Sequence, residues 1–417
     1  MINNPPIKDI NVSKELSNTK SSNLVEKLNK KTFLLQFLPK SIEYLESEKY
    51  INFDGEKLKT TYLIDIIHNL VLKYYFKKEN RFALNSTVLK DKYGYLYNYY
   101  IKYLVTKNII SMKSNYKKGY SSRVYGLDEK IFKSKIKRYK NKDKVLLKKY
   151  KKKIYDTIDF SDNENYLIKQ EIREKLISDL FCIDIEYDRS IFFLDSLKDK
   201  DFDLYNRNVY SVDCINDKHI FYHFDNFGRM HTNYTILRSF IRKNCLLIDG
   251  EETCEIDIKN SQPLFLSKLI NDIDTKWVDK EEFDIFKKLT LNGNYYQYIM
   301  DVLEIKDRKQ AKDLTYKVLF GRNMVNSKAD KQFSKVFPTI HNFIKLYKKE
   351  SGDYKIMAHD LQKAESNLIY NRIIRNVMLE YPEIKMITVH DSIVIPKKWK
   401  DVVNNIFEME LSNEFNF

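Results

Sequence analysis

The chain has 417 residues, with 73 Lys or Arg against 58 Asp or Glu, a formal charge of +15 and a pI near 9.2. That length allows two to three domains and at least one large core. The charge favours a polyanionic partner, nucleic acid ahead of an anionic membrane, and the lack of any run of about 18 apolar residues excludes a membrane-spanning helix. The N-terminus has no apolar signal core and is not an Arg-rich presequence. The cysteines, at 182, 214, 245 and 254, are too scattered to suggest zinc or a disulfide staple. The expected setting is therefore a reducing cytoplasm. Aromatic residues make up 14% of the chain, including 31 Tyr set among lysines. Rings that stack on bases beside cations that meet phosphates give such a composition, and so does an AT-rich genome.

Along the chain, residues 1–25 are polar, contain Pro5-Pro6, and read as a disordered arm. Residues 26–80 read as mostly helical, since apolar residues recur at three and four in "TTYLIDIIHNLVLKYYF". In "NSTVLKDKYG", Asn85 or Ser86 offers a cap, followed by a short helix and a Gly stop. A second helix carries Leu96, Tyr100, Tyr103 and Leu104 at helical spacing. Two strands then follow around Lys117-Lys118-Gly119. Helix, helix and hairpin resemble a winged helix, whose second helix and wing can meet DNA.

Residues 130–155 hold 13 basic residues and one acidic one. The pattern suits a helix tracking phosphates better than a spacer, which gains nothing from one-sided self-repulsion. Charge becomes mixed around 160–210, where a domain boundary is expected.

The chemistry lies after residue 220. "HFDNFGRMHT" carries Asp225, Gly228 and Arg229. In "CEIDIKNSQPLFL", Asp257 ends a strand. In "DRKQAKDLTYKVLFGRN", Arg308, Lys312, Tyr316 and Phe320 are four apart and form one slowly winding stripe on a helix that stops at Gly321. Two cations followed by two rings complement a nucleoside triphosphate, phosphates first and base second. "TVHDSIVIP" places His390-Asp391 at the tip of an apolar hairpin. Taken alone, that is an ordinary polar turn. Paired with Asp257, it becomes one of two strand-end acids whose mutual repulsion calls for cations between them. Two Mg²⁺ ions meet that need, with Mn²⁺ an acceptable substitute, because all-oxygen ligands suit hard cations.

These stretches, in this order, resemble the palm and fingers of family A nucleic-acid polymerases over roughly residues 215–410. "EIDIKNSQP", the R-x3-K-x3-Y-x3-F-G run and "VHDS" are similar to that family's three motifs, the second being the most specific. The resemblance implies an α+β fold, with an antiparallel palm sheet and helical fingers over 211–417. Before it would come the arm (1–25), a helical, winged-helix-like nucleic-acid-binding module (26–130) and a basic helical linker or thumb-like region (131–210). Asp257 and Asp391 would ligate the metals. Lys312 would bind the triphosphate and protonate the leaving pyrophosphate, and Arg308 would hold its outer phosphates. Tyr316, Phe320 and Gly321 would form the nucleotide's floor and the pivot of the fingers. His390 would lie near the primer terminus. Gln362, in "LQKAESNLI", would reach the duplex minor groove, and Arg229 the template–primer backbone.

The implied partners are primer–template nucleic acid, DNA first, and nucleoside triphosphates, with no membrane. The implied activity is a DNA polymerase of a virus or mobile element. No acidic exonuclease set stands in residues 1–210, so no proofreading is expected. Several departures leave the sugar open. Ser261-Gln262 follows Asp257 by four residues rather than two, and Pro263-Leu264 replaces Ile-Glu, the family's steric gate. Ser392 after His390-Asp391 and the D-x-x-G-R of Asp225 to Arg229 are similar to single-subunit RNA polymerases. The 32 residues from Asp225 to Asp257, and Phe320 rather than Tyr, suit the DNA enzymes. An RNA polymerase or primase on the same scaffold, and a non-catalytic winged-helix initiator or regulator, are the alternatives.

Overall fold

The structure, a computed structural model, describes residues 30–77, 79–115, 122–158, 167–273, 276–323 and 327–415. The expected arm and the Lys117-Lys118-Gly119 turn lie outside those residues. Helices joined to short antiparallel strands make this an α+β protein. No helix among the described residues is long and apolar enough to cross a membrane. The chain folds into two compact units, each drawn from three separate stretches of the sequence. Of the described residues, the first comprises those within 30–158, Ile183–Phe221 and Ile236–Leu247; the second comprises those within 167–182, Tyr222–Thr235 and 248–415.

In the first unit, the expectation of a mostly helical 26–80 is corrected. Leu34–Pro39 (β1) is a run of six buried residues that pairs antiparallel with Ile136–Asn141 (β7). Tyr50–Phe53 (β2) and Glu56–Lys59 (β3) form a hairpin turned by Asp54-Gly55, both with positive φ. Such a two-residue turn matches strand twist, and Asp-Gly is a favoured pair for it. A 3-10 turn, Lys40–Glu46, lies between β1 and β2, and α-helix begins only at Thr60–Lys77 (α1), whose Leu63, Ile67 and Leu70 are buried in the unit's core.

Phe82–Leu84 (β4), Ser86–Tyr93 (α2), Tyr97–Thr106 (α3), Ile110–Ser114 (β5) and Arg123–Leu127 (β6) follow. Asn85 caps α2 by accepting from the Thr87 and Val88 amides, and Gly94 ends it. Tyr100, Tyr103 and Leu104 of α3 are buried, and Leu96 packs beside them. The strands lie in the order β4-β6-β5.

The lysine-rich segment is not one helix. It starts in the short helix Glu129–Phe132, continues as β7, and forms a longer helix only at Lys144–Ile158 (α4). Leu146 and Ile154 of α4 are buried with Tyr150 partly so, while Lys144, Lys148 and Lys152 line an exposed row at the same spacing. That is the amphipathic pattern of a surface helix.

In the second unit, Glu251–Asp257 (β10) pairs antiparallel with Ser392–Pro396 (β12), which pairs with Ile387–Val389 (β11). Tyr222–Phe224 (β8) and Met230–Thr232 (β9) make a separate hairpin. Gln170–Leu180 (α5) braces the lead-in to β11. Its buried Lys175 and Asp179 form an ion pair; Lys175 Nζ donates to the Ile384 carbonyl at 2.7 Å, and Asp179 accepts from the Met386 amide at 3.0 Å. Ser261–Ile273 (α6), Arg308–Phe320 (α7), Pro338–Glu350 (α8) and Ile356–Ser366 (α9) follow β10 in sequence. A π-helical stretch, Asn367–Ile374, continues α9. Such segments are rare and recur at functional sites.

Candidate active site

Two strands bring the paired acids together. In the β10–β12 ladder Asp257 stands opposite Ser392, the residue after Asp391, and the Ile258 amide donates to the Asp391 carbonyl at 3.3 Å. Ser392 closes the tip from below, its Oγ 2.8 Å from both the Val389 carbonyl and Glu255 Oε1. His390 takes φ 56°, in the left-handed region. That conformation costs a non-glycine residue roughly 1–2 kcal/mol and is met at functional sites.

The side chains next to this tip are charged. Burial pushes the Asp391 carboxyl up to about 6, and the carboxylates of Glu365 and Asp257 push in the same direction. The Lys312 ammonium opposes them. Asp257 itself is exposed at its strand end. Three acids and one lysine therefore share one electrostatic site, although Asp257 precedes both Glu365 and Asp391 by more than 100 residues in sequence. Among the described residues, no three or more His, Cys, Asp or Glu side chains form a ready-made metal cage.

Glu365 is the residue that sequence reasoning missed. It is 1% exposed and all its acceptor capacity is engaged. Oε1 accepts from Arg229 Nε at 3.0 Å and pairs with Arg229 Nη2. Oε2 accepts from Gln262 Nε2 at 2.6 Å and from the Ser261 hydroxyl. One buried carboxylate on α9 thus ties the β8–β9 turn, through Arg229, to the start of α6. No local signal marks it: its neighbours Lys363, Ser366 and Asn367 are polar, so one more charged residue on the helix does not stand out. Leu264, standing where the family's gate residue was sought, is buried at 5% exposure.

The mixed stripe lies on helix α7 as the spacing predicts. Asp307 caps the helix, accepting from the Lys309 amide at 2.9 Å. Ala311, Leu314, Thr315, Val318 and Leu319 are buried on one face. Arg308 and Lys312 are exposed and Tyr316 and Phe320 half-buried. The Arg308 guanidinium sits 5.3 Å from the centroid of Tyr296, the Lys312 ammonium 5.4 Å from that of Tyr316, and the Tyr316 and Phe320 rings 5.2 Å apart. Each cation is thus parked over a ring, and among the described residues neither carries a carboxylate bridge that an incoming anion would have to break. Gly321 ends the helix with no room for a side chain, because a Cβ there would come 2.3 Å from the Lys317 carbonyl. Buried Lys348 from α8 donates to the carbonyls of Val318 and Gly321 at 2.6 and 2.9 Å, satisfying the helix end.

Of the other expected contacts, Gln362 is half-buried on α9, one turn before Glu365. Arg229 is engaged with Glu365, its side chain 17% exposed. His390 is exposed at the hairpin tip, its ring 6.2 Å from that of His231. Set against known proteins, the chain matches no family model and no curated sequence.

Proposed function

We propose that the protein is a template-directed nucleotidyltransferase, a DNA polymerase that extends a 3′-hydroxyl without proofreading. The observation that carries this reading is the β10–β12 register, which sets Asp257 beside Asp391 within electrostatic reach of Lys312. The site crowds negative charge that burial makes costly to ionise, and a hard divalent cation offsets that cost. Asp257 and Asp391 would hold two Mg²⁺ ions, which when bound activate an attacking hydroxyl and stabilise the departing oxygen. Two carboxylates without further protein ligands suit a metal that takes water and substrate phosphate for its remaining positions.

Arg308 and Lys312, presented along one helix face, are suited to grip a triphosphate, with Tyr316 as the base's platform. Glu365 positions Arg229 and the Ser261-Gln262 turn behind the acids. For the first unit, a helix, a strand, two helices and two strands with β6 central is the arrangement expected of a winged helix. The row Lys144, Lys148 and Lys152 on α4 gives a second cationic face for a polyanion.

Primer extension with dNTPs and with rNTPs, each with and without primer, tests the reading. Primer-dependent dNTP incorporation that needs Mg²⁺ is expected. A strong preference for rNTPs, or starts without primer, would move the assignment to an RNA polymerase or primase. No incorporation of either class would leave the nucleic-acid-binding first unit as the active part.

A further inference from the structure

Arg229 was expected to meet the nucleic-acid backbone, but its guanidinium is occupied by the buried Glu365. The hairpin it belongs to presents other groups instead. His231 on β9 stands opposite His223 on β8, their rings 6.5 Å apart and nearly parallel, at 24°. Asp225, in the turn, accepts from the amides of Phe227 and Arg229 at 2.9 Å each, and its other oxygen lies 2.9 Å from His231 Nε2. Burial pushes the Asp225 carboxyl up, but the His231 ring and those two amides outweigh it and hold it below the usual carboxylate range. An ionised carboxylate only accepts hydrogen bonds, so Nε2 donates to it and Nδ1 is the nitrogen left for another partner.

The hairpin is held firmly. The Met230 amide donates to Tyr370 Oη at 2.9 Å, Tyr370 is bonded to Thr388 beside the acid-bearing tip, and Phe227 stacks on His359 with centroids 4.7 Å apart. Gly228, with φ 83°, lets the turn close where a Cβ would meet Leu167 at 3.0 Å. The side chains themselves are accessible: His223 is exposed and the His231 side chain is 38% exposed.

We propose that the imidazoles of His231 and His223, the former oriented by Asp225, seat the phosphodiester backbone of the strand whose 3′ end is extended, while Arg229 acts as a positioning residue through Glu365. This rests on the polymerase reading. With Nε2–H held by Asp225, His231 donates from Nδ1 only when both ring nitrogens carry hydrogen, so it seats a phosphate oxygen as the imidazolium, and rigid anchoring sets the register of a backbone that carries no sequence information. The seat is therefore expected to act on any sequence and to matter for a strand that ends at the acids.

The test is fluorescence anisotropy, without nucleotide, on a recessed-3′-end primer–template and on a blunt duplex of equal length. His231→Ala is expected to weaken recessed-end binding about tenfold, the size of one charge-assisted hydrogen bond. His223→Ala is expected to weaken it by a smaller factor, and the blunt duplex should be little affected. Asp225→Asn should raise the primer–template KM with little change in the KM for nucleotide. His223→Ala carries the test if His231→Ala fails to fold, since His223 is exposed. Unchanged recessed-end binding in the variants that fold, or equal losses on both duplexes, would overturn the proposal. Asp391→Asn in primer extension tests the polymerase reading separately, so either can fail without the other.

Discussion

Two hairpins in this protein share a backbone plan and differ in what their tips hold. Each joins antiparallel strands through two residues, the first of them left-handed: Asp54 at φ 54° and His390 at φ 56°. At the β2–β3 tip the second residue is Gly55, with open space around it, and Asp54 pairs with Lys102 on the surface. Turn chemistry accounts for that tip entirely. At the β11–β12 tip the second residue is Asp391, largely buried beside Glu365 and Asp257. A turn needs neither a left-handed histidine nor a carboxylate crowded by two others. Residues that are unfavourable for the turn they occupy point to a role other than turning the chain.

Asp391→Asn should cut Mg²⁺-dependent extension by about a thousandfold, at the upper end for loss of one electrostatic stabiliser. The same change should raise the melting temperature measured without divalent cations, because it removes a buried charge. Asp54→Asn should do neither. Glu365→Ala should destabilise the second unit by about 3 kcal/mol, since it leaves the Arg229 guanidinium without its buried partner. Glu365→Gln, which keeps the shape, should cost less in thermal or urea unfolding.

The pH dependence distinguishes the tips next. An Asp whose folded carboxyl titrates near 6, against about 4 when unfolded, is ionised at greater cost in the folded state. Without divalent cations, stability should therefore fall as pH rises from about 4 through 6, by roughly 3 kcal/mol from this group. Asp391→Asn should remove that component, and added Mg²⁺ should offset it. The smallest effect belongs to the plain turn. Gly55→Ala should cost about 1 kcal/mol for the left-handed backbone and leave extension untouched.

Local periodicity made much of the second unit legible. The four-residue spacing from Arg308 to Phe320 gave helix α7, with its mixed face outward, and the apolar runs gave the β11–β12 hairpin. Asn85 and Gly94 bounded α2 for the same reason, because caps are local chemistry. The β2–β3 hairpin carried a readable Asp-Gly turn that the helical pattern after it obscured. Strand β7 was hidden by its lysines: a charge run reads as a solvated helix, yet alternation turns Tyr139 and buried Asn141 to one side and exposed Arg138 and Lys140 to the other. Glu365 was not legible, because its importance arises from three partners on other elements. Long-range convergence of that kind leaves no local pattern.

The central claim is that Asp257 and Asp391 jointly hold divalent cations. The most direct measurement is Mn²⁺ binding to the full chain, followed by electron paramagnetic resonance, in the wild type, Asp257→Asn and Asp391→Asn. The wild type should bind two ions when primer–template and a non-hydrolysable nucleoside triphosphate are present, and each variant should lose or greatly weaken at least one of them. Equal stoichiometry and affinity in all three proteins would contradict the account.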